Sequence, residues 1–118
     1  MNILECNLIP PTVNHLYKTY SKNGRITRTM TSEGKEFIRA LSLLAKSKKF
    51  ELIREDCSLE YVLYCKKKGR TDLDNTLKAI QDALEGIAYV NDSQIVEIMA
   101  KKVRNAKRDG FSIIVKKV

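Results

Sequence analysis

Apolar and polar positions alternate over four stretches of this chain. In "NILECNLI" the alternation puts Leu4, Cys6 and Leu8 on one side, and Pro10-Pro11 follows; proline cannot donate to a sheet ladder, so the pattern predicts a first strand. "SLEYVLYC" alternates Leu59, Tyr61, Leu63 and Cys65 in a Tyr-, Val- and Leu-rich context and reads as another strand. "QIVEIMAKKV" and "FSIIVKKV" are two further alternating runs, joined by "RNAKRDG", whose Asp109-Gly110 is hairpin chemistry. A 3.6-residue rhythm replaces the alternation in two places. "TSEGKEFIRALSLLAKSKK" sets a Thr or Ser N-cap ahead of Phe37, Ile38, Leu41, Leu44 and Ala45. From Asp74, "DNTLKAIQDALEG" puts Leu77, Ile80, Ala83, Leu84 and Ile87 on one face, with Gly86 at the C-terminal cap. "YKTYSKNGRITRTM" carries Asn23-Gly24, the strongest short hairpin signal, between polar and basic flanks, which predicts a mobile basic arm. The resulting order is strand, hairpin, helix, strand, helix, strand, strand. It predicts an α+β fold, a small mixed β-sheet with two main helices packed on it, in one domain spanning residues 1–118.

Composition narrows the class. A chain of 118 residues with 43% apolar content can bury a core in one compact domain, and no repeat or low-complexity tract interrupts it. Lys and Arg number 22 against 14 Asp and Glu, a formal charge of +8, which puts polyanions such as nucleic acid first among partners. Cys6, Cys57 and Cys65 are an odd number at wide spacing with His15 the one imidazole, a pattern that supports neither a disulfide framework nor a zinc site. No apolar run reaches the ~20 residues that span a bilayer, and "MNILECNLIPP" lacks a basic region followed by an apolar core. A cytoplasmic protein with no membrane association is expected.

The chemistry concentrates in "KKKGRTDLDNTLKAIQDAL", where Lys66, Lys67, Lys68 and Arg70 run directly into Asp72 and Asp74. Residues i and i+2 of an extended segment point to the same side, so the two carboxylates converge where strand gives way to helix. Two readings of the pair stand open. Asp is a favoured N-cap, so Asp74 can hold the helix start while Asp72 meets the helix dipole or Arg70. Alternatively, converging carboxylates repel unless a cation lies between them, and Mg²⁺ is commonly held by one or two carboxylates. A calcium loop is excluded: with Asp72 as position one, the sixth residue is Leu77 and the twelfth Ala83, where Gly and Glu are required. Asp92, in the turn after the second helix, is either a turn residue or a third acid returned by a β-α-β passage. Lys78, four residues after Asp74, forms either an ordinary ion pair with it or an ammonium for phosphate. Asn75 serves the helix start or the metal, and Asp82 and Glu85 read as structural or surface groups.

"RTDLDNTLKAIQDALEGIAYVNDSQIVE", Arg70 to Glu97, resembles the signature of the RusA family of Holliday-junction resolvases, and "PPTVNHLY", Pro10 to Tyr17, resembles that family's N-terminal motif. Chain length and element order agree, so the resemblance covers essentially the whole chain. It implies a Mg²⁺-dependent endonuclease, with Mn²⁺ substituting, that acts as a homodimer on four-way DNA junctions and is often carried by prophages. By position, the family's catalytic acids fall on Asp72, Asp74 and Asp92, which would hold the metal, and its catalytic lysine on Lys78. The sequence departs from relatives at Thr71, where Pro or a basic residue is frequent, and at Asn91, where some have a second Asp. On this reading Lys66, Lys67, Lys68 and Arg70, with Lys22, Arg25 and Arg28 of the hairpin and Asn14 of the N-terminal motif, contact DNA. Metal-activated water would attack in line, leaving 5′-phosphate and 3′-hydroxyl ends. The competing readings are a non-catalytic basic nucleic-acid-binding protein and a Mg²⁺ nuclease for flaps or other branched nucleic acids.

Overall fold

The computed structural model describes residues 1–66 and 72–118. Its elements run β1 (Asn2–Cys6), α1 (Val13–Leu16), β2 (Tyr17–Lys22), β3 (Arg25–Met30), α2 (Ser32–Ser47), β4 (Cys57–Cys65), α3 (Leu77–Leu84), β5 (Ile95–Arg104) and β6 (Gly110–Lys117). Short 3-10 turns, Asp74–Thr76 and Asp92–Gln94, precede α3 and β5. The class is the expected α+β, with the predicted order of elements and one extra helical turn, α1.

Four strands form a mixed sheet in the order β1-β6-β4-β5, with β4 and β5 parallel and the other neighbours antiparallel. β4 takes the centre because both of its faces are largely covered: Cys57, Leu59, Tyr61 and Leu63 are buried on the helix side, and Ser58 on the other. The hairpin expected at Asp109-Gly110 does not form. β5 and β6 flank β4 instead of pairing with each other. Their connection is tied to the end of β4, where Ala106 N–H donates to the Cys65 carbonyl at 3.0 Å and Lys66 N–H donates to Asp109 Oδ1 at 2.8 Å. Gly110 is required there for another reason: its φ is +149° and a Cβ would overlap the Cys6 carbonyl oxygen as β6 slides in beside β1.

Both long helices lie on one face of this sheet. Phe37, Leu41 and Ala45 of α2 and Ala79, Ile80, Ala83 and Leu84 of α3 are buried with Leu4, Leu59, Tyr61, Leu63, Phe111, Ile113 and Val115 of the strands. Complete burial of each Leu, Ile or Val contributes about 1.5–3 kcal/mol, so this shared layer dominates the fold's stability. The helices also touch through Ser42 Oγ, which donates to the Ala83 carbonyl at 3.0 Å. α2 starts where expected: Thr31 is the N-cap and its Oγ1 accepts from Gly34 N–H at 3.0 Å. The same hydroxyl donates to the His15 carbonyl at 2.6 Å, and a Cβ at Gly34 would stand 2.8 Å from the Leu16 carbonyl oxygen. The first turn of α2 is thereby seated directly on α1. After α3, Gly86 takes φ +83°, the conformation its capping position predicts.

β2 and β3 form a separate two-stranded hairpin, and Asn23 and Gly24 at its tip have φ +52° and +75°, as a two-residue turn with positive φ at both positions requires. No helix among the described residues is long and apolar enough to cross a membrane.

Candidate active site

The parallel passage β4-α3-β5 carries the acids. Asp72 and Asp74 are both exposed and lie between the end of β4 and the start of α3. Thr76 pins the turn that bears them. It is fully buried, its Oγ1 donates to the Leu73 carbonyl at 2.8 Å, and it shares a 2.8 Å hydrogen bond with the buried Tyr61 hydroxyl of β4. Burial holds the Tyr61 phenol well above its ordinary pKa, so this bond persists across physiological pH. The open choice between cap and ligand is narrowed by the hydrogen bonding. Among the described residues, neither the turn nor α3 receives a side-chain cap. Among the described residues, Asp72 Oδ2 accepts from Asn75 Nδ2 at 3.3 Å. The Asp74 carboxylate takes no partner among the described residues.

Lys78 does not pair with Asp74. It turns the other way along α3 and forms a 2.9 Å ion pair with Asp82 Oδ1. Asp82, expected as a structural or surface group, is only 17% exposed at its side chain. Its second oxygen, Oδ2, accepts from the Tyr17 hydroxyl at 2.8 Å. Tyr17 opens β2, and the guanidinium of Arg28 on β3 sits 3.9 Å over its ring. A chain of contacts therefore runs from the hairpin through Tyr17 and Asp82 to Lys78. The bond to Asp82 raises the Lys78 pKa above 10.5, more than burial lowers it, and the charge of Asp92 adds to the rise. Desolvation, then the bond to Asp82, raises the Tyr17 phenol. Both groups are protonated at neutral pH. The spacing of Lys78 and Asp82 was the available clue, but Tyr17 lies 65 positions from Asp82 and no local pattern joins them.

Asp92 opens the 3-10 turn before β5, and that turn is built to hold its place. Asn91 Oδ1 accepts from Ser93 N–H at 2.9 Å, and Gln94 Oε1 accepts from Val90 and Asn91 N–H at 2.8 and 2.9 Å, completing a capping box. Gln94 Nε2 then donates to the Ile53 and Glu55 carbonyls at 2.9 and 2.8 Å, fastening the turn to the segment before β4. Asp92 N–H meets Glu85 Oε1 at 3.3 Å, while its carboxylate is unpartnered among the described residues. Its influence on Lys78 brings it within electrostatic reach of that ammonium. The carboxylate oxygens of Asp72, Asp74 and Asp92 are hard donors suited to Mg²⁺, with lone pairs to spare. Among the described residues, no three His, Cys, Asp or Glu side chains are gathered as a metal-binding group.

The basic residues divide. Lys22 and Arg25 are exposed and face each other across the hairpin tip. Like charges directly opposite repel, so this tip favours a bound anion. Asn14, Tyr17, Lys18 and Arg28 line a cavity of about 440 Å³ at the hairpin base. Lys66 is exposed beyond β4, and Lys67, Lys68 and Arg70 lie outside the described residues.

A mixed-sheet α+β chain with exposed acids and a lysine beside a basic hairpin has the ingredients of a phosphodiester-cutting protein. The family model for endodeoxyribonuclease RusA matches residues 9–116, nearly the whole chain, and the chain belongs to the RusA endodeoxyribonuclease family. No curated protein matches it.

Proposed function

We propose that this nuclease is a divalent-cation-dependent resolvase that cuts four-way DNA junctions by paired nicks. The carrying observation is that Asp72 and Asp74 stand exposed on a turn pinned to β4, with Lys78 one helical turn on. Asp72, Asp74 and Asp92 would hold the cation. When bound, a divalent ion of this kind lowers the pKa of the attacking water and offsets charge on the leaving oxygen. The chain's own groups do the rest. Thr76 and Tyr61 keep the acid-bearing turn from moving, and the Lys78 ammonium meets the scissile phosphate as negative charge develops on it. Lys22, Arg25, Arg28, Lys66 and Asn14 hold the DNA backbone, with Lys67, Lys68 and Arg70 expected to join them. The three cysteines are free, which suits a reducing cytoplasm.

Paired nicks call for two sites related by a two-fold axis, and β5 supports a homodimer. It is one of the sheet's two edge strands, ten residues long, and exposes Val96, Ile98 and Met99 by 56%, 45% and 60%. An edge of this kind pairs readily with a second strand. Opposed residues in an antiparallel pair share a face, so a two-fold axis through the sheet must pass through a residue. An axis at Met99 sets Glu97 of each copy opposite Lys101 of the other; axes at Glu97, Ile98 or Ala100 give Glu97 no basic partner directly across. One domain spanning the 118 residues would carry one site per copy.

The test is cleavage of a synthetic four-way junction against linear duplex of the same sequence, over a Mg²⁺ titration, for wild type and Asp72→Asn. Wild type should cut the junction selectively and the variant should lose about two orders of magnitude in rate. An undiminished variant removes Asp72 from the site. Salt-sensitive binding without cleavage would leave a non-catalytic DNA-binding protein, and equal cutting of flaps would leave a broader nuclease.

A further inference from the structure

Asp82 belongs to no part of the acid set just proposed, yet it is the most completely engaged carboxylate near it. Each of its oxygens takes a different donor, Lys78 Nζ at 2.9 Å and Tyr17 Oη at 2.8 Å. Its side chain is 17% exposed against 43% for Lys78, so the acid is the fixed member of the pair and the ammonium is the one that reaches solvent. Three donors on an ammonium leave two free once Asp82 has taken one. Lys78 and Asp82 lie one turn apart on α3, and Asp74 sits in the 3-10 turn that leads into it. At its far side Asp82 is held by Tyr17, whose own ring is covered by Arg28 from the hairpin. An unrestrained lysine has four rotatable bonds and would have to be ordered during the reaction.

We propose that Asp82 is a positioning residue for phosphodiester cleavage, clamping the Lys78 ammonium in one place on α3 while Tyr17 locks the clamp to the base of the basic hairpin. The assignment rests on the nuclease reading, with Lys78 as the group that meets phosphate. Asp82 touches neither DNA nor metal and acts through Lys78 alone. A clamp of this sort chiefly raises the rate of the bound complex, since the ammonium's benefit is realised as charge builds on the phosphate. The groups bearing on Lys78 from neighbouring elements are Asp82 on its own helix, Tyr17 of β2 and Asp92 before β5.

Asp82→Asn keeps the shape and removes the charge; Tyr17→Phe keeps the ion pair and removes the lock. Junction cleavage by Asp82→Asn should fall about 10- to 100-fold in kcat with KM within about two-fold, as for loss of groups that orient a reacting residue. Tyr17→Phe should lose less, and Asp82→Glu should recover part of the loss. A side-chain NMR titration of Lys78 gives a readout that a purely structural role would not move: its pKa should fall in Asp82→Asn and stay high in Tyr17→Phe. Wild-type kcat in a folded Asp82→Asn, or an unmoved Lys78 titration, overturns the clamp. A wild-type chain inert on junctions, flaps and duplex in both Mg²⁺ and Mn²⁺ overturns the nuclease reading and the clamp with it. That result is distinct from an active wild type matched by an equally active Asp82→Asn, which sinks the clamp alone.

Discussion

Single atoms decide several contacts at the residue scale. A methyl group at Gly110 meets the Cys6 carbonyl in a backbone region with φ +149°, and one at Gly34 meets the Leu16 carbonyl at 2.8 Å. Gly110→Ala should therefore cost more than Gly34→Ala, with the latter near the 1–3 kcal/mol typical of overpacking, about the same scale as loss of a cap; urea unfolding of the two variants measures the order. Thr76→Val should cost about 1–3 kcal/mol, because it strands the buried Tyr61 hydroxyl and leaves the Leu73 carbonyl with the Thr76 backbone N–H alone. The same variant should lower junction cleavage even where it remains folded, since the turn bearing Asp72 and Asp74 loses its anchor. Lys78 sets a pH window. Its folded pKa is raised above 10.5, so the stability it draws from Asp82 is fully present below that value and is lost as pH rises through the folded pKa. The stability gap between wild type and Asp82→Asn should be flat through neutral pH and narrow above about pH 10.5, as read by urea titrations at each pH.

Elements made by local rules were legible in advance. The faces of α2 and α3 follow from 3.6-residue spacing, Thr31 caps α2, and Asn23-Gly24 turns the basic hairpin, all because neighbours along the chain satisfy one another. β5 and β6 were legible as strands but not as neighbours. Which edges pair depends on the most doubly buried strand, β4, taking the centre, and alternation within a strand does not rank strands against each other. The hairpin also carries a prediction at this scale. Lys22 and Arg25 crowd each other at its tip, and replacing both with Ala should reduce the slope of log K against log salt for DNA binding by about 2, at about 0.9 per phosphate contact, measured by fluorescence anisotropy.

For the whole molecule, the homodimer proposed above makes its own predictions at β5. Antiparallel pairing of β5 about Met99 would bring the two Met99 Cα atoms to about 4.5–5.5 Å, within disulfide range. Met99→Cys should cross-link into dimers on mild oxidation while Val96→Cys should not. Glu97→Lys should shift the protein towards monomer by sedimentation, and Glu97→Lys with Lys101→Glu should restore the dimer. Monomeric wild type at micromolar concentration would discard this edge as the interface.

The sequence alone determined the local elements, the positive charge, and the residues Asp72, Asp74, Lys78 and Asp92 as the chemistry to watch, together with the family to which they point. Those follow from short-range periodicity and from a motif contiguous in the chain. Tertiary structure decided how Asp82 and the acid-bearing turn are held. Asp82 became the partner of Lys78 and Tyr17, and Thr76 the anchor of the acid-bearing turn, because β4, α3 and the hairpin pack side chains that lie 15 and 65 positions apart into hydrogen-bond range. Spacing along the chain fixes which residues can share a helix face. Only burial against a particular neighbour fixes which of them must find a partner there.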